Sequence, residues 1–130
     1  MWRLLDTNIV SFIVKRHTLA TIYQPHLIGY YLAIAAQTWG ELLAWGLDAN
    51  WGPARWRQLD TVVSPMTMLD ATKSVTERWA EVWHVRRSRP IGVADCWIAA
   101  TALAHNLEFV THNPTDFAGI PGLTVITEAP

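Results

Sequence analysis

Arg3-Leu4-Leu5-Asp6-Thr7-Asn8-Ile9-Val10-Ser11-Phe12-Ile13-Val14 is the stretch on which the fold turns. Its first three residues read as a short buried strand, three polar residues interrupt it, and from Ile9 the chain continues apolar, as a helix does after a strand-to-helix turn. The same alternation runs outward from there. Residues 31–35 form a second strand candidate. From Thr38 the positions Trp39, Leu42, Leu43, Gly46 and Leu47 make one stripe of a helix, in which Gly46 either ends the helix or sits at a close contact. Gly52-Pro53 marks a turn only. Thr61-Val62-Val63 is a β-branched run before Pro65, and Thr67-Met68-Leu69-Asp70 looks like a capping signature opening a long helix. On that helix Val75, Trp79, Val82 and Trp83 share a face, and Pro90 stops it. A further helix spans 94–105 with Asn106 as its left-handed cap. Residues 107–111 and 123–127 are the last two strands. Strands separated by helices imply βαβ units, hence an α/β fold: a doubly wound, mainly parallel sheet flanked by helices in a three-layer sandwich.

The 130 residues suit a single domain, 1–130, and 51% hydrophobic against 16% charged residues excludes global disorder. With a net charge of −1 the chain has no overall basic field to attract nucleic acid, so any such contact needs a local patch. The single cysteine, Cys96, excludes an intramolecular disulfide and a multi-thiolate zinc site, and makes a reducing compartment, the cytoplasm, the default. Asp6 interrupts any signal-peptide core. The longest weakly polar stretch, 27–36, is about half of the roughly 20 residues a membrane span needs, so no membrane partner is expected.

Ligands of such sheets bind beyond the carboxyl ends of the strands, and four carboxylates stand there. Asp6 follows the first strand, Glu41 falls in the first turn of the helix after the second, Asp95 in the first turn of the helix after Gly92, and Asp116 in the loop after the strand ending at Thr111. Taken singly, each has an ordinary reading: Asp6 as a helix cap, Asp95 as a favourable charge at a helix start, Glu41 as a solvated flank, Asp116 as turn chemistry. Asp95, however, is in register with Ile98, Ala99 and Ala102 and so opens a buried stripe. Two carboxylates about 4 Å apart repel by roughly 4 kcal/mol at an effective dielectric near 20, so four together call for a cation. Oxygen donors without a cysteine set or a spaced histidine pair select Mg²⁺ or Mn²⁺. Such an ion supports phosphodiester hydrolysis.

Leu4-Leu5-Asp6-Thr7-Asn8, Thr38-Trp39-Gly40-Glu41-Leu42, Ala94-Asp95-Cys96-Trp97-Ile98-Ala99-Ala100 and Val110-Thr111-His112-Asn113-Pro114-Thr115-Asp116-Phe117 resemble, in order and spacing, the motifs of the PIN-domain family, above all its VapC-type toxins. The resemblance covers essentially the whole chain. It implies an Mg²⁺- or Mn²⁺-dependent endoribonuclease acting on RNA, held inactive by a small antitoxin that also binds operator DNA, and a homodimer. It places Asp6, Glu41 and Asp95 at the three acidic metal-site positions and Asp116 at the fourth, with Thr7, Thr111 and Asn113 as supporting polar residues. His112 stands where many members carry arginine, and Asn113 where others carry aspartate.

Other features have two readings. Arg86, Arg87 and Arg89, with Lys15 and Arg16, either contact RNA phosphates or form a solvated helix end. Trp45 and Trp51, near Trp56, either fill the core or line a groove for the antitoxin or a second subunit. Cys96 reads as a small buried thiol. The rival functions are a phosphatase of the haloacid-dehalogenase kind, whose second aspartate is Asn8 here, and a non-catalytic partner-binding module.

Overall fold

The structure, a computed structural model, describes residues 1–130. Five strands, β1 (Trp2–Leu5), β2 (Tyr31–Ala35), β3 (Thr67–Leu69), β4 (Glu108–Val110) and β5 (Val125–Ile126), form one sheet in the order β3-β2-β1-β4-β5. Every pairing is parallel. Six helices join them: α1 (Thr7–Lys15), α2 (Thr18–Leu27), α3 (Ala36–Asp48), α4 (Pro53–Val63), α5 (Lys73–Val85) and α6 (Val93–Ala104), and a 3-10 turn, Pro114–Phe117, lies between β4 and β5.

Period-two alternation assigns successive strand residues to opposite faces. Leu4, Ala33, Ala35 and Phe109 join Val82, Cys96, Ile98 and Ala99 in one core beneath α5 and α6. Leu5, Ile34 and Val110 join Ile9, Val10, Tyr23, Leu42 and Leu59 in a second core beneath α1 to α4. Each fully buried Leu, Ile or Val side chain contributes about 1.5–3 kcal/mol of burial, so both faces of the central strands β2, β1 and β4 are held by packing. The doubly wound reading is therefore the observed architecture.

Several local expectations are corrected. Thr67-Met68-Leu69 does not open a helix: it is edge strand β3, with Ala33 against Thr67 and Ala35 against Leu69. The cap of α5 is Thr72, whose hydroxyl accepts from Val75 N. Gly52-Pro53 is a helix start, with Pro53 in the first turn of α4, where its missing N–H has no partner to lose. Thr61-Val62-Val63 closes that helix. Helix α2, weakly amphipathic and carrying Pro25, has no counterpart in the sequence reading. Strands β4 and β5 are shorter than expected, and Asn106 takes the left-handed conformation at φ 53° as expected.

Gly46 resolves to a close contact inside α3. A Cβ there would stand 2.7 Å from Trp51 Cε3 and closer still to the Trp56 ring. Trp45, Trp51 and Trp56 meet edge to face around it, so Trp45 and Trp51 are packed against their neighbours and half-buried.

Candidate functional site

The strand order reverses between β1 and β4, and the crevice opens at their carboxyl ends. Asp6 stands there, 5% exposed, as the residue before α1. Its Oδ1 accepts from Thr7 N at 2.8 Å and its Oδ2 accepts from the Thr111 hydroxyl at 2.7 Å. Thr111, wholly buried at the end of β4, also accepts from Asn113 N at 3.0 Å. Asp6 is thus both a cap and a buried carboxylate at the switch point.

Thr7 extends the cluster to α3. Its hydroxyl donates to Glu41 Oε1 at 2.7 Å and lies 3.0 Å from the Thr38 hydroxyl. Having one proton, Thr7 gives it to the carboxylate, and Thr38 is left to donate to Thr7. Thr38 is wholly buried and escaped the sequence reading as a site residue. The signal was there: it lies one helical turn before Glu41, a hydroxyl beside the buried Leu42. Glu41 itself is in the second turn of α3, because the helix starts at Ala36 and not at Thr38.

Asp95 is the third residue of α6, half-buried, and Gly92 precedes the helix with no side-chain cap. Asp95 is therefore not a cap. Asp116 is exposed on the 3-10 turn. Electrostatics ties the four together. Burial, first, pushes the Asp6 carboxyl from 3.8 up to about 6, against the hydrogen bonds of Thr111 and Thr7; the charges of Asp95 and Glu41 push the same way. Burial likewise raises Asp95, and the charges of Asp116 and Glu41 add to it while Arg86 opposes. None of the three ion pairs in the molecule involves any of these carboxylates.

Arg86 is not a solvated residue. It is 6% exposed, and its guanidinium donates to the carbonyls of Arg89 at 2.8 Å, Asp116 at 3.0 Å and Ala118 at 2.9 Å. It pins the turn that carries Asp116 and offers nothing to RNA. Arg87 bonds the His84 carbonyl and Arg89 the Thr115 carbonyl, both at the surface. His112 is drawn inward, its Nδ1 2.5 Å from the Tyr23 hydroxyl and its ring edge-on to Phe12 and Tyr23. The Asn8 carboxamide oxygen accepts from His112 N at 3.4 Å, a structural contact. Cys96 is fully buried, and burial lifts its thiol to about 11.

A divalent ion suits the donors in kind: all are oxygens, and the buried charge of Asp6 has no counter-ion. As the side chains stand, no three of them converge tightly enough to hold an ion together. Glu41, Asp95 and Asp116 are all at least partly exposed, and Asp6 alone among the four is buried.

The chain as a whole is similar to known proteins. The PIN-domain family model matches residues 3–123. Ribonuclease VapC4 of Mycobacterium tuberculosis is 34% identical over 113 residues, covering 83% of this chain and 86% of its own. A toxin–antitoxin complex from Klebsiella pneumoniae superposes with a TM-score of 0.76 at 27% identity, over 96% of each chain. VapBC2 from Rickettsia felis, solved bound to a DNA fragment from its promoter, shares the fold with a TM-score of 0.86 at 24% identity, over 98% of each chain. No helix here is long and apolar enough to cross a membrane. From a buried aspartate at the switch point to the turn that carries Asp116, the chain belongs to the PIN-domain family, and within it to the VapC group.

Proposed function

We propose that this single domain is a metal-dependent endoribonuclease, the toxin of a toxin–antitoxin pair, acting in the cytoplasm. One observation carries the reading: the Asp6 carboxylate is buried at the switch point within the field of two further carboxylates, Asp95 and Glu41, with no cation paired to it. A purely structural aspartate gains nothing from such company. The relatives support it by name, one a ribonuclease and others complexes of toxin with antitoxin.

Asp6 and Asp95, with Glu41 and Asp116, would hold Mg²⁺ or Mn²⁺. When bound, that ion lowers the pKa of a water molecule and neutralises charge on the phosphodiester. The protein's own part is positioning. Thr111 and Thr7 N–H fix both oxygens of Asp6, so its free lone pairs face the crevice in one orientation. Thr7 holds Glu41 in one direction, because its hydroxyl donates to that carboxylate. Arg86 holds the turn carrying Asp116 and Asn113 through two carbonyls, and its charge offsets part of the repulsion felt by Asp95 without forming an ion pair there. Asn113 contributes its backbone N–H to Thr111 and leaves its exposed carboxamide free to meet substrate.

The antitoxin is expected to place a cation among these carboxylates, with operator DNA reached only through it, and a homodimer would set two such crevices along one face. Trp45 and Trp51 remain the surface proposed for that partner. Purified protein should cut a structured RNA in Mg²⁺ or Mn²⁺, lose the activity in EDTA, and recover poorly in Zn²⁺. Cleavage that persists in EDTA, with contaminating nuclease excluded, overturns the reading.

A further inference from the structure

At the far end of α1 from Asp6 lies a groove of about 760 Å³ between that helix and α4. Its wall includes Lys15, Arg16, Arg55 and Arg57 and no carboxylate. These are four of the ten Lys and Arg residues in a chain of net charge −1, and none of them is in an ion pair. Lys15 lies over the Trp45 ring at 4.9 Å and Arg55 is 6.0 Å from the Trp51 ring centre, contacts that orient the cations and leave their charge unneutralised. Gln58 Nε2 donates to Val14 O at 2.7 Å, fixing α4 against the end of α1.

A local helix effect accounts for Lys15, since a cation suits the C-terminal end of α1. It does not account for Arg55 and Arg57. They fall in the first two turns of α4, where the helix end is already positive and acidic residues are absent. The sequence has put positive charge where the fold disfavours it. The groove is also in line with the site. Thr7, Ser11 and Lys15 are spaced i, i+4, i+8 and share one side of α1, the side on which Thr7 meets Glu41 and Lys15 meets Trp45. Eight residues of helix separate Thr7 from Lys15 by about 12 Å.

We infer that this groove is a second RNA contact, taking strand phosphates a few nucleotides from the bond held at Asp6. The inference rests on the ribonuclease reading and extends it: the carboxylates choose the bond and the groove holds the strand. A single-stranded chain of phosphates matches a line of unpaired cations, and each contact releases counterions.

The test uses the full chain with Arg55→Glu and Arg57→Glu together, both at exposed positions, with melting temperature checked against wild type. KM for a long single-stranded RNA should rise about tenfold near 0.1 M salt, and the slope of log KM against log salt should fall by about 1–2. Cleavage of a dinucleoside monophosphate, whose only phosphate is the one held at Asp6, should change less than twofold. Binding of labelled poly(U) without divalent ion, followed by anisotropy, should weaken in parallel. Variants that bind and cut long RNA like wild type overturn the groove and leave the nuclease reading intact. Wild type that binds poly(U) through these arginines but cuts no RNA overturns the nuclease reading and leaves the groove. If poly(Glu) matches poly(U) in affinity for wild type and loses it equally in the variant, the groove is a protein-binding surface and the inference is wrong.

Discussion

The Thr111 hydroxyl donates to Asp6 Oδ2 at 2.7 Å across the line where the strand order reverses, joining the end of β4 to the end of β1. The Thr111 Oγ1 also accepts Asn113 N–H at 3.0 Å, so one hydroxyl serves the carboxylate and the loop beyond it.

Thr111→Val keeps the shape and deletes both bonds. The buried Asp6 loses a donor and Asn113 N–H loses its acceptor, at about 1–3 kcal/mol for the unmet groups. Chemical denaturation should show that loss, and RNA cleavage should fall with it. Thr111→Ser, which keeps the hydroxyl, should retain most of the activity; a Ser variant as inactive as Val would deny the hydroxyl this role.

Asp6 makes the metal-free protein less stable as pH rises. Between 3.8 and about 6 the folded chain holds a proton on Asp6 that the unfolded chain has released. Stability therefore falls as pH climbs through that window, by roughly 3 kcal/mol in all for a shift of about 2 units. Asp6→Asn should flatten this slope and, in EDTA at pH 7.5, be more stable than wild type while inactive. Equal pH profiles for the two proteins would mean that Asp6 is not held against its charge.

For Asp95 the decisive comparison is a pair of melts. With Asn in its place the repulsion from Asp116 and Glu41 is relieved, so the metal-free protein should melt no lower than wild type. Added Mg²⁺ should raise the melting temperature of wild type by ligand linkage and that of Asp95→Asn less, with most cleavage lost. An equal Mg²⁺ shift in both, with cleavage intact, removes Asp95 from the site.

Arg86→Leu strips donors from three carbonyls around a buried position and should cost about 2–4 kcal/mol. Arg87→Ala and Arg89→Ala, at the surface, should stay within about 0.5 kcal/mol. Urea titration of the three variants separates a buried clamp from a row of equivalent surface arginines.

Gly46→Ala drives a methyl into the Trp51 and Trp56 rings and should cost about 1–3 kcal/mol, visible as a lower urea midpoint and a changed tryptophan emission. An unchanged midpoint would show that the three rings yield freely.

The positions of Asp6 and Asp95 were legible because the βα repeat itself defines them: Asp6 directly after a strand, Asp95 at a helix start in register with an apolar stripe. What periodicity cannot supply is partnership over distance. Arg86 reads as a solvated helix end until the carbonyls of Asp116 and Ala118, some thirty residues on, come within reach. Thr38 reads as the start of an apolar stripe until Thr7, at the start of α1, comes within reach. Edge strand β3 has three residues, too few for alternation to register, and the true cap, Thr72, lies just past the false one. Helix α2 escaped because a proline and a weak apolar face hide its period.

Tyr23 has a consequence of another kind. Its hydroxyl accepts Glu128 N–H at 3.0 Å and sits 3.4 Å from Thr111 O, beside His112, while its ring is wholly enclosed in the α1–α4 core. A single phenol therefore couples α2, the end of β4 and the residues after β5. Opening any one of them exposes the others, so they should exchange amide hydrogen as one cooperative unit. The Glu128 amide, two residues beyond the last strand, should then be as slow to exchange as the sheet, and in Tyr23→Phe it should exchange like a free chain end.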